Sequence, residues 1–237
     1  MIPDFVKQDL AALGLSLPTE AMERMSEYLK LLLETNKHVN LTAIREEDAA
    51  WRRLIVDSLT PLPYIDLPSG SRVIDIGTGA GLPGMPLAIA LPEIHFSLVD
   101  STGKKIAFLR SVVSALKLEN VNLYSERAED LGQAHEHREQ YDLAISRAVG
   151  PMPLVLEYCM PMLAIGGLML AMKGPRVVQE LEVSSDAMLK LGADGVRTLP
   201  AYPESFGNEL VLAMVDKVAR TPAAYPRVPG TPKREPL

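Results

Sequence analysis

Residues 73–86, VIDIGTGAGLPGMP, constrain the fold of this chain more than any other stretch. The β-branched, apolar residues 73–76 are typical of a buried strand. Glycines follow at 77, 79 and 81, where the absence of a Cβ allows a sharp turn and lets a ligand approach the backbone. Pro86 and the apolar residues 87–91 indicate the start of a helix. The stretch therefore predicts a strand, a glycine loop and a helix, the element that holds nucleotide-like ligands.

The spacing of the glycines narrows the ligand class. Leu82 occupies the position of the third glycine in a dinucleotide fingerprint, and no lysine follows Gly84 as a P-loop requires. The remaining pattern, D-x-G-x-G-x-G led by Asp75, resembles the first motif of Rossmann-like methyltransferases that bind S-adenosylmethionine (SAM). An ordinary glycine-rich turn is the alternative interpretation. We favour the ligand site, with Asp75, Gly77, Gly79 and Gly81 as cofactor-binding residues.

A second acid supports this interpretation. Residues 94–100, IHFSLVD, alternate and end in Asp100, 23 residues after Gly77. A carboxylate at the end of a second strand is placed to accept hydrogen bonds from the two ribose hydroxyls of a cofactor. An aspartate at that position is also a common helix N-cap. Together with the glycine loop, we predict the ribose contact for Asp100.

The alternation of apolar runs and helical patterns predicts an α/β fold. We expect strands at 72–76, 95–100, 121–125, 141–146, 167–173 and 209–215, with helices between the first five. This order indicates a Rossmann-like, mainly parallel, doubly wound sheet whose last strand is antiparallel. Residues 1–65 contain only helical patterns, including a third helix at 46–59, and form an N-terminal helical cap. Residues 66–218 are the SAM-binding domain.

Residues 219–237 differ in composition, because they hold five prolines and four basic residues against one acid. We expect a basic, extended and unpacked C-terminal tail that lies along a phosphate backbone. The alternative is a solvated extension without a partner. This tail matters because the whole chain carries a net charge of −6, which argues mildly against a nucleic-acid partner unless cations are clustered locally.

Composition argues against three other classes of protein: secreted disulfide-bonded, membrane-spanning and metal-binding proteins. The chain holds one cysteine, Cys159, so it forms no internal disulfide, and its N-terminus resembles no signal peptide. The longest apolar stretch, 158–172, is interrupted by proline and glycine and is too short for a bilayer. Neither the four histidines nor the cysteine forms a metal-binding pattern. We predict a monomer in the cytoplasm that binds no metal and does not associate with a membrane.

The loop after the fourth predicted strand narrows the choice of methyl acceptor. It reads Ser146-Arg147-Ala148, where amino-group methyltransferases of nucleic acids carry N/D-P-P-Y/F, and Cys159 is badly placed to act as a nucleophile. Guanine N7 has a lone pair and no proton, so it needs alignment and no general base. The guanidinium of Arg147 suits guanine O6 or a phosphate, although a structural salt bridge is the alternative role.

These motifs together resemble the RsmG family, also called glucose-inhibited division protein B, which comprises bacterial small-subunit rRNA guanine-N7 methyltransferases. The matching stretches are GTGAGLPG, Asp100 with 101–105, the 146–148 turn, Lys173-Gly174, 40–44, 57–59 and the C-terminal residues. The resemblance implies SAM as cofactor, contacts to it from the Gly77 region, Leu82, Ala128, Glu129 and Arg147, and catalytic roles for Arg147 and Lys173. It also implies a guanine in the decoding-region loop of 16S rRNA, in the small ribosomal subunit, as the target.

One position departs from the family. Leu54 stands where the family usually has a histidine, so any role of that histidine does not transfer. Two other functions fit the motifs less well: a SAM-dependent small-molecule methyltransferase, which the negative charge would suit, and a non-catalytic SAM-binding factor of the ribosome.

Overall fold

The computed structural model describes residues 2–203, 206 and 209–237. Among these residues, seven strands form one sheet in the order β3-β2-β1-β4-β5-β7-β6. The first five strands are parallel to one another, and β7 runs antiparallel to both β5 and β6. The strands are β1 Arg72–Ile76, β2 His95–Val99, β3 Val121–Tyr124, β4 Tyr141–Arg147, β5 Leu163–Lys173, β6 Ala193–Pro200 and β7 Val211–Lys217. The predicted Rossmann-like, mainly parallel sheet with an antiparallel last strand is confirmed.

Helices precede the sheet and cover both of its faces. They are α1 Asp4–Ala12, α2 Thr19–Asn36, α3 Glu47–Ala50, α4 Asp57–Leu59, α5 Gly84–Ala90, α6 Gly103–Leu116, α7 Ala128–Leu131, α8 Met152–Cys159, α9 Val177–Glu182, α10 Ser185–Leu191 and α11 Thr231–Arg234. A π-helical turn, Trp51–Val56, joins α3 to α4, so the predicted third helix is continuous but irregular. Short 3₁₀ turns lie at Leu62–Tyr64 and Met160–Met162.

The core has two layers, one on each face of the sheet. The first joins the N-terminal helices, α5 and α6 to one face, and the second joins α8 and α10 to the other. Central strand β1 is buried on both faces, since Val73 belongs to the first layer and Ile74 to the second. This explains why its sequence is a continuous apolar run. Within the described ranges, no helix is long and apolar enough to cross a bilayer.

The N-terminal helices pack directly onto the sheet domain. Tyr28 of α2 is fully buried, and its hydroxyl donates to the carbonyl of Ala80 in the glycine loop at 2.8 Å. Burial raises the pKa of this phenol well above its usual range, with the nearby charge of Asp75 adding to the effect, so it remains a hydrogen-bond donor. The helical segment therefore helps to fix the glycine loop. The division of the chain at residue 65 stays a prediction.

The sequence analysis missed β6. This strand lies at the edge of the sheet, and most of its residues are exposed. Because an edge strand that faces water on both sides needs few apolar residues, it lacks the alternation that identified the others. Gly195, with a φ of +66°, and Pro200 weakened its strand signal further.

The prediction that residues 219–237 form an unpacked tail is wrong. The guanidinium of Arg138 donates to the carbonyls of Thr221, Pro222 and Tyr225 at 2.7–3.1 Å. Gln133 donates in the same way to two further carbonyls of this segment. Prolines remove backbone donors and so prevent regular structure. They leave the carbonyls free, and side chains of the sheet domain satisfy them here.

The basic residues of this segment are also used within the fold. Arg227 pairs with the fully buried Glu157, and Arg220 lies 3.8 Å from Glu139. Lys233 faces a cavity at the top of the sheet, which leaves Arg234 as an exposed cation without a described ion pair. A four-cation contact with phosphates, as the composition suggested, is therefore incompatible with this packing.

Candidate cofactor and acceptor site

A cavity of about 380 Å³ lies beyond the carboxyl ends of β1, β2 and β3. Its walls include Gly77, Asp100, Lys105, Ala128, Tyr158 and Lys233. Ligands bind at this edge of open parallel sheets, because the loops that follow the strands converge there. The volume lies within the range of roughly 300–1,000 Å³ that is usual for small-molecule sites. We call this space the cofactor cavity.

The glycine loop between β1 and α5 has the backbone that its sequence predicts. Gly77 has a φ of +73°, and a Cβ at this position would lie 2.7 Å from Cγ2 of Val149. Gly81 has a φ of +102°, and a Cβ there would lie 2.7 Å from Cδ2 of Leu109 on α6. Gly77 therefore lets Val149 pack closely against the loop, and Gly81 does the same for Leu109 of α6.

Asp75 lies beneath the loop and not in the cavity wall. One carboxylate oxygen, Oδ2, accepts from the hydroxyl of Thr78 at 2.6 Å and from the backbone N–H of Gly84 at 2.8 Å. The other, Oδ1, is buried and has no hydrogen-bond partner among the described residues. Burial raises the pKa of Asp75 to about 7, against the hydrogen bonds that lower it. The observed contacts brace the loop, and a cationic ligand above it would favour the ionised carboxylate.

Asp100 lies at the end of β2 in the wall of the cavity. Its Oδ2 accepts from the backbone N–H of Gly79 at 3.0 Å and from Nζ of Lys105 at 3.1 Å, and its Oδ1 accepts from the N–H of Thr102 at 2.8 Å. Burial raises the pKa of Asp100, but the hydrogen bonds from Thr102 and Lys105 outweigh it, so the net pKa is lowered. Asp100 is thus an ionised acceptor that also shapes the glycine loop.

Ala128 and Glu129, at the start of α7, lie in the wall of the same cavity. Glu129 is almost fully buried, and its Oε1 accepts from the hydroxyl of Tyr158 at 3.1 Å and from the N–H of Gly230 at 2.9 Å. Neither Tyr158 nor the C-terminal segment was predicted here. Leu82, at the C-terminal end of the glycine loop, packs partly buried against the first core layer.

Arg147 is the last residue of β4, the strand beside β1, and it joins the sheet to the N-terminal helices. Its Nη2 donates to the carbonyl of Arg53 in the π-helical turn at 2.6 Å and lies 3.6 Å from Oδ2 of Asp57. Its Nη1 is buried without a hydrogen-bond partner in the described part of the chain. The next residue, Ala148, has a φ of +56°, an unfavourable conformation for a residue with a Cβ. One nitrogen of the Arg147 guanidinium, Nη1, is therefore left without a described hydrogen bond.

A second, smaller cavity of about 310 Å³ lies next to this pair. Asp57 and Tyr202 contribute to its wall, and the hydroxyl of Tyr202 donates to Oδ1 of Asp57 at 2.5 Å. Burial raises the pKa of this phenol, and the charge and hydrogen bond of Asp57 add to the shift, so Tyr202 remains a donor. Arg147, Asp57 and Tyr202 form one polar network, which the sequence did not reveal because 145 positions separate Tyr202 from Asp57.

Lys173 lies outside the cofactor cavity wall. Its Nζ donates to the carbonyl of Gly150 at 2.6 Å and pairs with Oε2 of Glu180 at 2.6 Å. The same glutamate oxygen accepts from the backbone N–H of Met152 at 2.9 Å. These contacts brace the loop between β4 and α8. The catalytic role that the resemblance implied for Lys173 stays a prediction.

Other reactive groups are few in the described ranges. Within them, no group of three or more histidine, cysteine or acidic side chains could hold a metal ion. Cys159 is fully buried, and burial raises the pKa of its thiol well above the usual value. The site therefore offers a shaped cavity lined by carboxylates and by the cations Lys105, Arg127 and Lys233, with Arg147 at the end of neighbouring strand β4.

Comparisons with known proteins agree with these features. The family model described as rRNA small subunit methyltransferase G matches residues 21–201. A Lactobacillus delbrueckii subsp. bulgaricus protein named ribosomal RNA small subunit methyltransferase G is 40% identical and covers 100% of both chains. A Moorella thermoacetica protein of the same name is 39% identical over 94% of this chain and 93% of its own.

Solved structures share the fold at low sequence identity. A SAM-dependent O-methyltransferase from Thermotoga maritima superposes with a TM-score of 0.54 at 17% identity, over 81% of this chain and 72% of its own. TYW2 of M. jannaschii, crystallised with AdoMet, gives a TM-score of 0.53 at 16% identity, over 69% of this chain and 76% of its own. At these identities the likeness concerns the fold alone.

Proposed function

The chain belongs to the GidB family of rRNA small subunit methyltransferases G, and we propose that it methylates N7 of a guanine in the decoding-region loop of 16S rRNA. Members of this family are SAM-dependent methyltransferases of small-subunit rRNA, and so is this chain. The observation that supports the specific reaction best is the juxtaposition, on neighbouring strands, of the cofactor cavity and a partly unpaired Arg147.

The residues present fit SAM. At Gly79 an added Cβ would meet no atom nearer than 3.9 Å, so a ligand can approach the backbone of the loop there. SAM carries an ammonium and a sulfonium, and two carboxylates, Asp75 and Asp100, lie beneath and beside the loop. Oδ1 of Asp75 is buried and has no described partner, and a cationic ligand above the loop would favour the ionised form of this carboxyl. These carboxylates offer acceptors for the ammonium and for the ribose hydroxyls of SAM.

Each group has a distinct proposed role. Asp100 accepts hydrogen bonds from the ribose, and the segment at Ala128 and Glu129 holds the adenine. Gly77 and Gly79 allow the methionine part to approach the backbone, with Leu82 packed behind the loop and Gly81 fixing it on α6. Bound SAM supplies an electrophilic methyl group on a sulfonium. Arg147, the last residue of β4, acts on the incoming base in this proposal.

The choice of guanine N7 as the acceptor rests on the chemistry of that nitrogen and on the position of Arg147. A nitrogen with an in-plane lone pair and no proton requires alignment and the exclusion of water, and no general base. The free Nη1 of Arg147 suits guanine O6 or a phosphate, because a guanidinium binds such oxygens through several N–H groups. Lys173, which fixes the loop after Arg147, acts in this proposal by bracing that loop.

Binding of RNA must overcome the electrostatic repulsion that arises from the net charge of −6 on this chain. Binding depends on where the cations lie, because each phosphate contact is local. Lys104 and Arg110 are exposed on α6, and Arg53 and Arg176 are exposed on the segments next to Arg147 and the 148–151 loop. We propose that these four cations contact rRNA around the site. We also propose that the chain works as a monomer in the cytoplasm, which sedimentation and fractionation would test.

Incubation of the protein with methyl-labelled SAM and small ribosomal subunits tests the proposed reaction. We expect label in 16S rRNA, at a position that reduction and aniline treatment cleave, which is diagnostic of N7-methylguanine. Label at a position resistant to this cleavage would overturn the N7 assignment. No label in rRNA, with methyl transfer to small molecules or with SAM binding alone, would favour the two alternative functions.

Replacing Asp100 with alanine is expected to weaken SAM binding about a hundredfold, because a carboxylate hydrogen bond contributes roughly 1.5–3 kcal/mol. Part of this loss comes from the N–H of Gly79, which would lose its acceptor and free the loop. Asp100→Asn keeps one acceptor oxygen and should be milder. Calorimetric titration with SAM measures both variants. A change below about threefold in the alanine variant would reject the ribose contact.

A further inference from the structure

The C-terminal segment, residues 219–237, reaches the cofactor cavity. The backbone N–H of Gly230 donates to Oε1 of Glu129 at 2.9 Å, and Lys233 of α11 lines the cavity together with Asp100 and Ala128. Glu129 is only 2% exposed, so this contact lies inside the protein. The segment is therefore part of the wall that surrounds the proposed cofactor.

The position of this segment is fixed by a buried ion pair. Glu157 of α8 is fully buried and accepts from Arg227 three times: from the backbone N–H at 2.9 Å, from Nε at 2.8 Å and from Nη2 at 2.6 Å. The pKa of the Arg227 guanidinium is raised, chiefly by the hydrogen bond to Glu157. Nη2 also donates to the carbonyl of Glu235 at 2.8 Å, on the far side of Lys233. Arg227 thus links the helix that carries Lys233 to the core.

The location of Lys233 within the cavity indicates what it contacts. β3 is the edge strand next to β2, and Glu129 lies just after β3, whereas Arg147 lies at the end of β4 on the other side of β1. If Asp100, at the end of β2, holds the ribose, then the wall after β3 faces the base. Lysine offers donors only, and adenine presents ring nitrogens as acceptors. The amino-acid part of the ligand would then lie towards the glycine loop.

We propose that Lys233 is a cofactor-binding residue that donates to the adenine ring. This inference rests on the proposed binding of SAM in the cofactor cavity. It extends the binding site to a segment far from the glycine loop in sequence.

Calorimetry of Lys233→Met with two ligands tests the contact. S-adenosylhomocysteine carries both the adenosine and the amino-acid carboxylate, and 5′-methylthioadenosine carries only the adenosine. We expect both to bind about tenfold more weakly, since a hydrogen bond from a charged group is lost in each complex. Arg234→Met removes the neighbouring exposed cation and is the matched control, which should leave both affinities unchanged.

The outcomes separate this inference from the function on which it rests. Unchanged binding of both ligands by Lys233→Met, with Asp100→Ala still weakened, would overturn the contact and leave the cavity as the SAM site. A loss confined to S-adenosylhomocysteine would place Lys233 on the carboxylate and overturn the adenine contact. If Asp100→Ala and Lys233→Met both bind normally, the cofactor cavity itself is wrongly assigned. Melting temperatures of the two lysine and arginine variants should match the parent, because both side chains are exposed.

Discussion

Replacing Arg227 with methionine is expected to destabilise the fold by about 3–5 kcal/mol, because removing one partner of a buried ion pair leaves the other charge uncompensated. The group left without its charged partner is Glu157. This fully buried carboxylate accepts all three of its described hydrogen bonds from Arg227. The backbone bond would remain, and both guanidinium bonds would be lost. Urea unfolding at neutral pH, followed by circular dichroism, measures the difference.

Two controls show whether the buried pair is the cause. The double variant Arg227→Met with Glu157→Met should recover most of the stability, since replacing both charges with apolar groups is often neutral. Arg220→Met removes another arginine of the same segment, but its side chain is 83% exposed and lies 3.8 Å from Glu139, so no measurable change is expected. If Arg227→Met is as mild as Arg220→Met, the C-terminal segment is not anchored as described.

The contrast between these two arginines shows what sequence could predict about the C-terminal segment. Composition correctly identified a proline-rich, basic stretch without regular strands, but it cannot show what the carbonyls and cations contact. Arg138 and Glu157 lie about 70–90 positions away in the chain. One signal was available: Glu157 is the sole charged residue within α8, MPLVLEYC, and a buried acid requires a cationic partner. A search for that partner could have found Arg227.

The candidate site likewise contains residues that local sequence predicted and residues that it could not predict. Local pattern sufficed for the strand, the glycine loop and the acid after β2, because neighbouring residues determine these features. Gly77, Asp100, Ala128 and Glu129 were predicted, and they line one cavity. Asp75 and Lys173 were also predicted as site residues, yet their described contacts brace loops. Tyr28, Tyr158 and Lys233 were missed, because only the folded chain brings them to the loop or the cavity.

Arg147 has a position that local sequence predicted and partners that local sequence could not predict. It is the last residue of β4, at a position that local pattern identified, but its partners, the carbonyl of Arg53 and the carboxylate of Asp57, belong to the N-terminal helical region. The structural role that the sequence left open is therefore present. It does not use the whole guanidinium, because Nη1 is buried without a partner in the described ranges. A buried donor left unpaired costs free energy, so its persistence suggests a ligand that completes it.

Substituting lysine for Arg147 separates these roles and is expected to lower kcat about 100-fold, which is the effect of removing one preorganised donor from a transfer site. Lysine keeps the positive charge near Asp57, so the link to the N-terminal helices survives in part. It cannot reproduce the planar fork, so one ammonium cannot serve the Arg53 carbonyl and the acceptor base at once. Methyl transfer to small subunits at saturating SAM measures kcat, and calorimetry with S-adenosylhomocysteine should show nearly unchanged cofactor binding.

Arg197→Lys is the matched control for this prediction, because Arg197 also pairs with an aspartate, Asp216 at 2.9 Å, but on the exposed edge strand β6. It should keep the parent's kcat and melting temperature. For Arg147→Lys we expect a melting temperature within a few degrees of the parent, since Asp57 retains the hydroxyl of Tyr202. A large fall in melting temperature with normal turnover per folded molecule would make Arg147 a structural link alone. A loss of kcat in a stably folded variant that still binds the cofactor would place Arg147 at the transfer step, since neither folding nor cofactor binding would then explain the lost rate.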